Sequence, residues 1–167
     1  MVRFTYGQRG FTVVEVLIAV VIMALVITGA ISIYMMSITA WREGSTQIAL
    51  QRTASIAMEK MVRGIDGRNG IREASSVTRP NDTTIKFTSG IDAQERSFYL
   101  SGSEIIYDPD TSTTDDEFPI VENIRTTPSG LTFVVSGAVV TINLGMQGMV
   151  RGKAIDINLS TSVKLRN

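Results

Sequence analysis

From Val16 to Trp41 the chain runs for 26 residues without a charged side chain, and the residue just before that run is Glu15. A helix needs roughly 17–25 apolar residues to cross the hydrocarbon core of a bilayer. The stretch from Phe11 to Trp41 exceeds that length, extending about 46 Å at ~1.5 Å per residue, enough to span with tilt and still protrude. Arg3 and Arg9 precede it, whereas Arg42 and Glu43 follow it as a neutral pair. This asymmetry predicts a cytoplasmic N-terminus and a C-terminal domain on the opposite side, with Tyr34 and Trp41 suited to the far interface. A secretory signal has an apolar core of about 7–15 residues closed by a small-residue cleavage site. This run is longer, and no strong Ala-x-Ala site closes it.

Glu15 is the anomaly. A charge at the centre of a membrane helix costs about 2.5–3.5 kcal/mol on insertion scales, and less toward the interface. A plain anchor gains nothing from it, so the carboxylate calls for a positive partner. Arg9 is one candidate, although at 3.6 residues per turn it lies about 240° away around the helix. The other candidate is a positive charge supplied by a different molecule or by processing.

The stretch "RGFTVVEVLIAVVIMALV" resembles the N-terminus of type IV prepilins and of type II secretion pseudopilins. In that family a short basic leader ends in Gly, the next residue is usually Phe, and a Glu follows four residues later. The resemblance implies cleavage between Gly10 and Phe11 by a prepilin peptidase on the cytoplasmic side, followed by N-methylation of Phe11. It also implies a partner for Glu15: the new α-amine of Phe11 on a neighbouring subunit, paired during assembly. Pairing that relieves a charge in lipid also selects the stagger between subunits. The implied localisation is the bacterial inner membrane, single-pass, with the C-terminal domain periplasmic before entry into a filament. The implied partners are other pilin or pseudopilin subunits, the prepilin peptidase/methyltransferase and an inner-membrane assembly platform.

A helical pattern continues past the apolar run. Leu50, Ala54, Ala57, Met58, Met61 and Ile65 recur on one helical face, and Gly64, Gly67 and Gly70 offer stop signals. One helix from about Thr12 to Ile65 would be about 80 Å long. None of the four prolines, Pro80, Pro109, Pro119 and Pro128, falls within it, and Gly29 and Gly44 are its soft points. Many major pilins carry a proline midway along this helix, which this chain lacks. Beyond residue 70 the period changes to two, in "TTIKFT", "RSFYLS", "EIIYD", the pair of runs in "GLTFVVSGAVVTINL" and "AIDINLSTSVKL". In the last of these Ile155, Ile157, Leu159, Val163 and Leu165 share a face. The expected fold class is α+β: a long N-terminal helix packed on one apolar face of an antiparallel β-sheet. The expected division is a leader at 1–10, a membrane or filament-core helix at 11–41, its amphipathic continuation at 42–66 and a β-rich extracytoplasmic domain at 67–167.

Composition narrows the chemistry. The chain contains neither His nor Cys, which removes the commonest general base, the most versatile metal ligand, disulfides and thiol nucleophiles. An enzyme would need a Ser–Lys or carboxylate site, and no spacing nominates one, so no catalytic residue and no cofactor is expected. The formal net charge is zero and gives no basic footprint for nucleic acid. Loss of Arg3 and Arg9 with the leader would leave a formal −2 before the termini are counted. In "DPDTSTTDDEF" Asp108, Asp110, Asp115, Asp116 and Glu117 gather in one loop. Some pseudopilins bind calcium, which makes Asp108, Asp110, Asp115 and Asp116 calcium candidates. Their spacing does not match the 12-residue calcium loop, and a solvated acidic loop is the plainer reading. Arg68 and Arg72 in "GRNGIRE" are candidates for pairing with a neighbour's acids, or else simply a polar turn.

The stretches "LQRTASIAMEKMVRGI" and "VKLRN" are similar to J-like minor pseudopilins and W-like minor pilins. That similarity implies a minor subunit associated with the filament tip or with initiation. The alternative is a single-pass inner-membrane anchor presenting a periplasmic binding domain. The mass of the mature chain separates the two.

Overall fold

The computed structural model describes residues 11–65, 69–113 and 115–166. The chain divides into two compact units, Met1–Arg42 and Glu43–Asn167. Helix α1 covers Val13–Arg63 without interruption, and Gly29 and Gly44 leave it unbroken. Eight strands follow: β1 (Ala74–Asn81), β2 (Thr84–Ser89), β3 (Glu95–Ser101), β4 (Glu104–Asp108), β5 (Phe118–Val121), β6 (Leu131–Ser136), β7 (Val139–Val150) and β8 (Lys153–Lys164). The architecture is α+β and type IV pilin-like, one long N-terminal helix with antiparallel β-structure packed on its second half.

In the first unit, every residue from 11 to 37 is exposed. Helix formation there owes nothing to tertiary burial and depends on an uninterrupted apolar sequence with no proline. Three of its hydroxyls are turned inward to the backbone. Thr28 Oγ1 donates to the Ala24 carbonyl at 2.8 Å, Ser32 Oγ to that of Thr28 at 3.0 Å, and Thr39 Oγ1 to that of Met35 at 2.9 Å. Such back-bonding satisfies a polar group where a bilayer offers no water.

In the second unit, the face read from the sequence is the buried one. Leu50, Ala54, Ala57, Met58 and Met61 enter the core, with Ile65 half-buried beside it. The helix stops at Gly64, whose φ of 91° lies in the left-handed region that glycine enters at no steric cost. The Gly64 N–H closes the last turn on the Lys60 carbonyl at 2.8 Å. On β7, Val140, Ile142, Leu144 and Met146 are buried and alternate with Thr141, Asn143, Gly145 and Gln147, the period-two signature of a sheet with one covered face. Gly148 lets that strand approach α1: a Cβ there would meet Thr46 and Leu50 side-chain carbons, each at 3.0 Å.

The strands form two sheets rather than one, with orders β1-β2-β3-β4-β5 and β6-β7-β8, all neighbours antiparallel. Addition to the first sheet ends at β5, where Pro119 has no N–H to offer a further strand. Pro80 occupies the opposite edge strand, β1. The sheets are tied near the β1–β2 turn. There the Phe133 N–H donates to the Asp82 carbonyl at 2.8 Å, and the Arg79 guanidinium bonds the Phe133 carbonyl at 2.9 Å and Asp82 Oδ1 at 2.8 Å. Within the first sheet an aromatic row crosses β2 to β5, with ring centroids 5.5 Å apart for Phe87–Phe98, 4.9 Å for Phe98–Tyr107 and 5.6 Å for Tyr107–Phe118. Rings at these separations add to the burial of their own area.

Candidate functional site

The apolar helix begins with a polar clasp. Thr12 precedes the first helical residue, and its Oγ1 accepts the Glu15 N–H at 3.2 Å. The Glu15 carboxylate reaches back to the Thr12 N–H, with Oε2 at 3.5 Å. This reciprocal arrangement is a capping box: the Glu15 N–H, which also reaches the Thr12 carbonyl at 3.1 Å, and the Thr12 N–H each find a side-chain acceptor. A carboxylate at this end also meets the positive pole of the helix dipole. Phe11 stands just before the cap and Val16 four residues after it, the positions of a hydrophobic staple. Together with Val13, Leu17 and Val20 they line one apolar surface hollow.

Of the residues proposed for processing, Phe11 is the first described and is 83 % exposed. Gly10, Arg3 and Arg9 lie outside the described residues, so the scissile bond itself has no described geometry. Glu15 is bonded to Thr12, the residue that follows Phe11 in the chain. Thr12 was missed as a site residue in reading the sequence. Its signal was present as Thr-x-x-Glu directly ahead of an apolar run. Chemically, this end of the helix can hold one positive charge against Glu15, whether from its own chain or from another.

The acidic loop is differently arranged. Asp108 is buried at the end of β4, where Oδ1 accepts the Asp110 N–H at 3.0 Å and Oδ2 accepts the Ser97 hydroxyl at 3.4 Å. Burial pushes its carboxyl above the usual range, and the charges of Glu117 and Asp116 add to that. Asp110 turns to its own loop, accepting the Ser112 hydroxyl at 2.6 Å and N–H at 3.0 Å, and is held below the usual range by those bonds. Glu117 accepts the Tyr99 hydroxyl at 2.5 Å, which pushes that phenol up to about 12. Asp115 is exposed, and Asp116 keeps one buried oxygen without a hydrogen-bond partner. Among the described residues no group of three or more carboxylates converges on a point that a metal ion would fill. Of the two turn arginines, Arg68 lies outside the described residues and Arg72 is exposed beside the core residue Ile71.

Residues 6–31 match the family model described as the prokaryotic N-terminal methylation motif. No curated protein and no solved structure gives a match to the chain. The matched segment contains the Gly10–Phe11 bond, the Thr12–Glu15 clasp and the first turns of the exposed apolar helix. Over residues 6–31, and in the apolar helix that this segment opens, the chain is similar to type IV prepilins.

Proposed function

We propose that the chain is a minor pilin or pseudopilin, a structural subunit that is cut between Gly10 and Phe11, methylated at the new Phe11 amine and assembled into a type IV pilus or type II secretion pseudopilus. The observation that carries this reading is the continuity of the methylation motif with the first half of a helix whose apolar side chains are exposed from residue 11 to residue 37. Such a surface is stable in lipid or against the same helix of other subunits. The family that bears the motif is structural rather than enzymatic. In the prepilin the helix crosses the inner membrane once, with the N-terminus cytoplasmic and the β-rich domain periplasmic. The prepilin peptidase then removes the leader, and an inner-membrane platform passes the subunit to the filament.

Glu15 is the register element in this proposal. Each subunit brings one carboxylate and one amine to the edge of the apolar run, and the stagger in which both are paired avoids leaving a charge alone in a low-dielectric setting. A place at the filament tip or in initiation is consistent with the stretches "LQRTASIAMEKMVRGI" and "VKLRN", which are similar to J-like and W-like subunits.

Intact-mass measurement of the chain from its native membrane tests the processing step. Loss of Met1–Gly10 together with the gain of a single methyl group is expected. A chain that keeps its leader is instead a membrane anchor presenting a binding domain, and the filament reading then fails.

A further inference from the structure

On the outer face of the three-stranded sheet the polar side chains pair across strands row by row. Thr141 and Ser162 share a hydrogen bond of 2.8 Å; Asn143 bonds Thr132 at 3.1 Å and Ser160 at 2.7 Å; Gln147 bonds Asp156 at 3.0 Å. The ladder breaks in the row between Asn143 and Gln147. There β7 carries Gly145, its partner on β8 is Asn158, and the Asn158 amide has no hydrogen-bond partner among the described residues. The gap opens into a depression of 260 Å³.

Arg125 lies over this break. Its backbone is pinned there: the Arg125 N–H donates to the Gly145 carbonyl at 3.0 Å, and the Gly130 N–H donates to the Arg125 carbonyl at 2.7 Å. Its Nε is held by the Pro128 carbonyl at 3.3 Å. A Cβ on Gly145 would come within 3.2 Å of the guanidinium and 3.0 Å of Asn158 Oδ1, so the bare floor is what admits both groups. Among the described residues no carboxylate pairs with Arg125, and none lines the depression. The nearest acid along β8 on this face, Asp156, is engaged by Gln147.

We propose that this notch is a carboxylate-binding site, in which Arg125 supplies a forked pair of N–H donors and the Asn158 amide, turned over, supplies a third. A guanidinium fork matches the two oxygens of a carboxylate, and bonds to an ionised acceptor are the strong ones. The hydroxyls of Ser129 and Ser160 border the notch and favour a polar ligand over an apolar one. The same chemistry is offered by an acidic side chain of a neighbouring polypeptide and by a free carboxylic acid. The site is independent of the filament reading and stands or falls separately from it.

The test is an NMR titration of the full chain in detergent micelles, following backbone amides and the Arg125 Nε–H. The two probes are acetate and N-acetyl-aspartate N-methylamide. Saturable shifts confined to Arg125, Gly145 and Asn158 are expected. Tighter binding of the aspartyl probe identifies a polypeptide source, and equal binding a free acid. Arg125→Gln should weaken binding by about tenfold or more, as for loss of hydrogen bonds to a charged group. Arg125→Lys, which keeps the charge and removes the fork, should fall between the two and guards against a folding defect in the first variant. Absence of saturable shifts with both probes, or unchanged binding in Arg125→Gln, overturns the proposal.

Discussion

The Glu15 carboxylate and the Thr12 hydroxyl close one ring of hydrogen bonds, yet the two residues are separable by substitution. Thr12→Val removes the cap and leaves the acid. Loss of a capping hydroxyl costs about 0.5–2 kcal/mol, so faster hydrogen exchange in the first turn is expected, with assembly retained. Glu15→Val removes the acid itself. That variant should be cleaved and methylated yet accumulate in the membrane fraction, with little in sheared filaments; normal incorporation would end the register role. At the residue scale the second unit also has a defined response to acid. The bidentate Arg96 partner, at 2.6 and 2.9 Å, holds the Asp92 carboxyl well below its ordinary value of 3.8. A carboxylate whose folded value is depressed contributes stability above its ordinary value and loses it as pH falls through the folded one. The Thr111 bond to Glu95 acts in the same direction, from an ordinary value of 4.5. Asp108, raised by burial, acts oppositely, since its ionisation costs stability as pH rises past 3.8. Urea denaturation at neutral pH and at pH values below 3.8 should therefore show a steep acid loss in the native chain and a shallower one in Asp92→Asn.

Among the elements, α1 contributes most of its core contact through small and flexible side chains. Met61 is fully buried, and truncating a buried Met to Ala costs about 2–5 kcal/mol through lost transfer energy and a residual cavity. Met61→Ala should lower the unfolding free energy of the second unit, read by urea denaturation, by that amount, whereas exposed Ile48→Ala should leave it nearly unchanged. The same face was legible in the sequence because each of its apolar residues returned at helical spacing. Strands β2, β3, β4, β6, β7 and β8 were legible for the corresponding reason, the alternation imposed by one covered face. Strand β1 gave no such signal: it lies at an edge, is mostly exposed, and shifts register twice along its length. Strand β5 is four residues long and contains Pro119, which reads as a loop. The division into two sheets follows from those two edges, so it was hidden with them. At the candidate site, the sequence pointed to Phe11 and Glu15 through a family pattern, but Thr12 needed the capping geometry to be recognised. Arg125 and Asn158 are 33 residues apart in sequence, and only strand pairing brings them to one place.

As a whole molecule the chain carries two kinds of surface: an apolar helical segment exposed from residue 11 to residue 37, and a β-rich unit with its own core. A fragment of residues 43–167 should thus remain soluble without detergent and unfold cooperatively, with a largely β-type circular dichroism spectrum. A need for detergent would show that the core is incomplete without the preceding helix. Pro80 and Pro119, in the two outermost strands of the five-stranded sheet, acquire a further meaning in that setting. In the filament proposed above, subunits would meet at high local concentration, where an open sheet edge is a template for runaway strand exchange. A missing N–H at each border denies an incoming strand one rung of its ladder. Under that proposal the two prolines would insulate neighbouring subunits from one another, leaving the helices to set the order of the array.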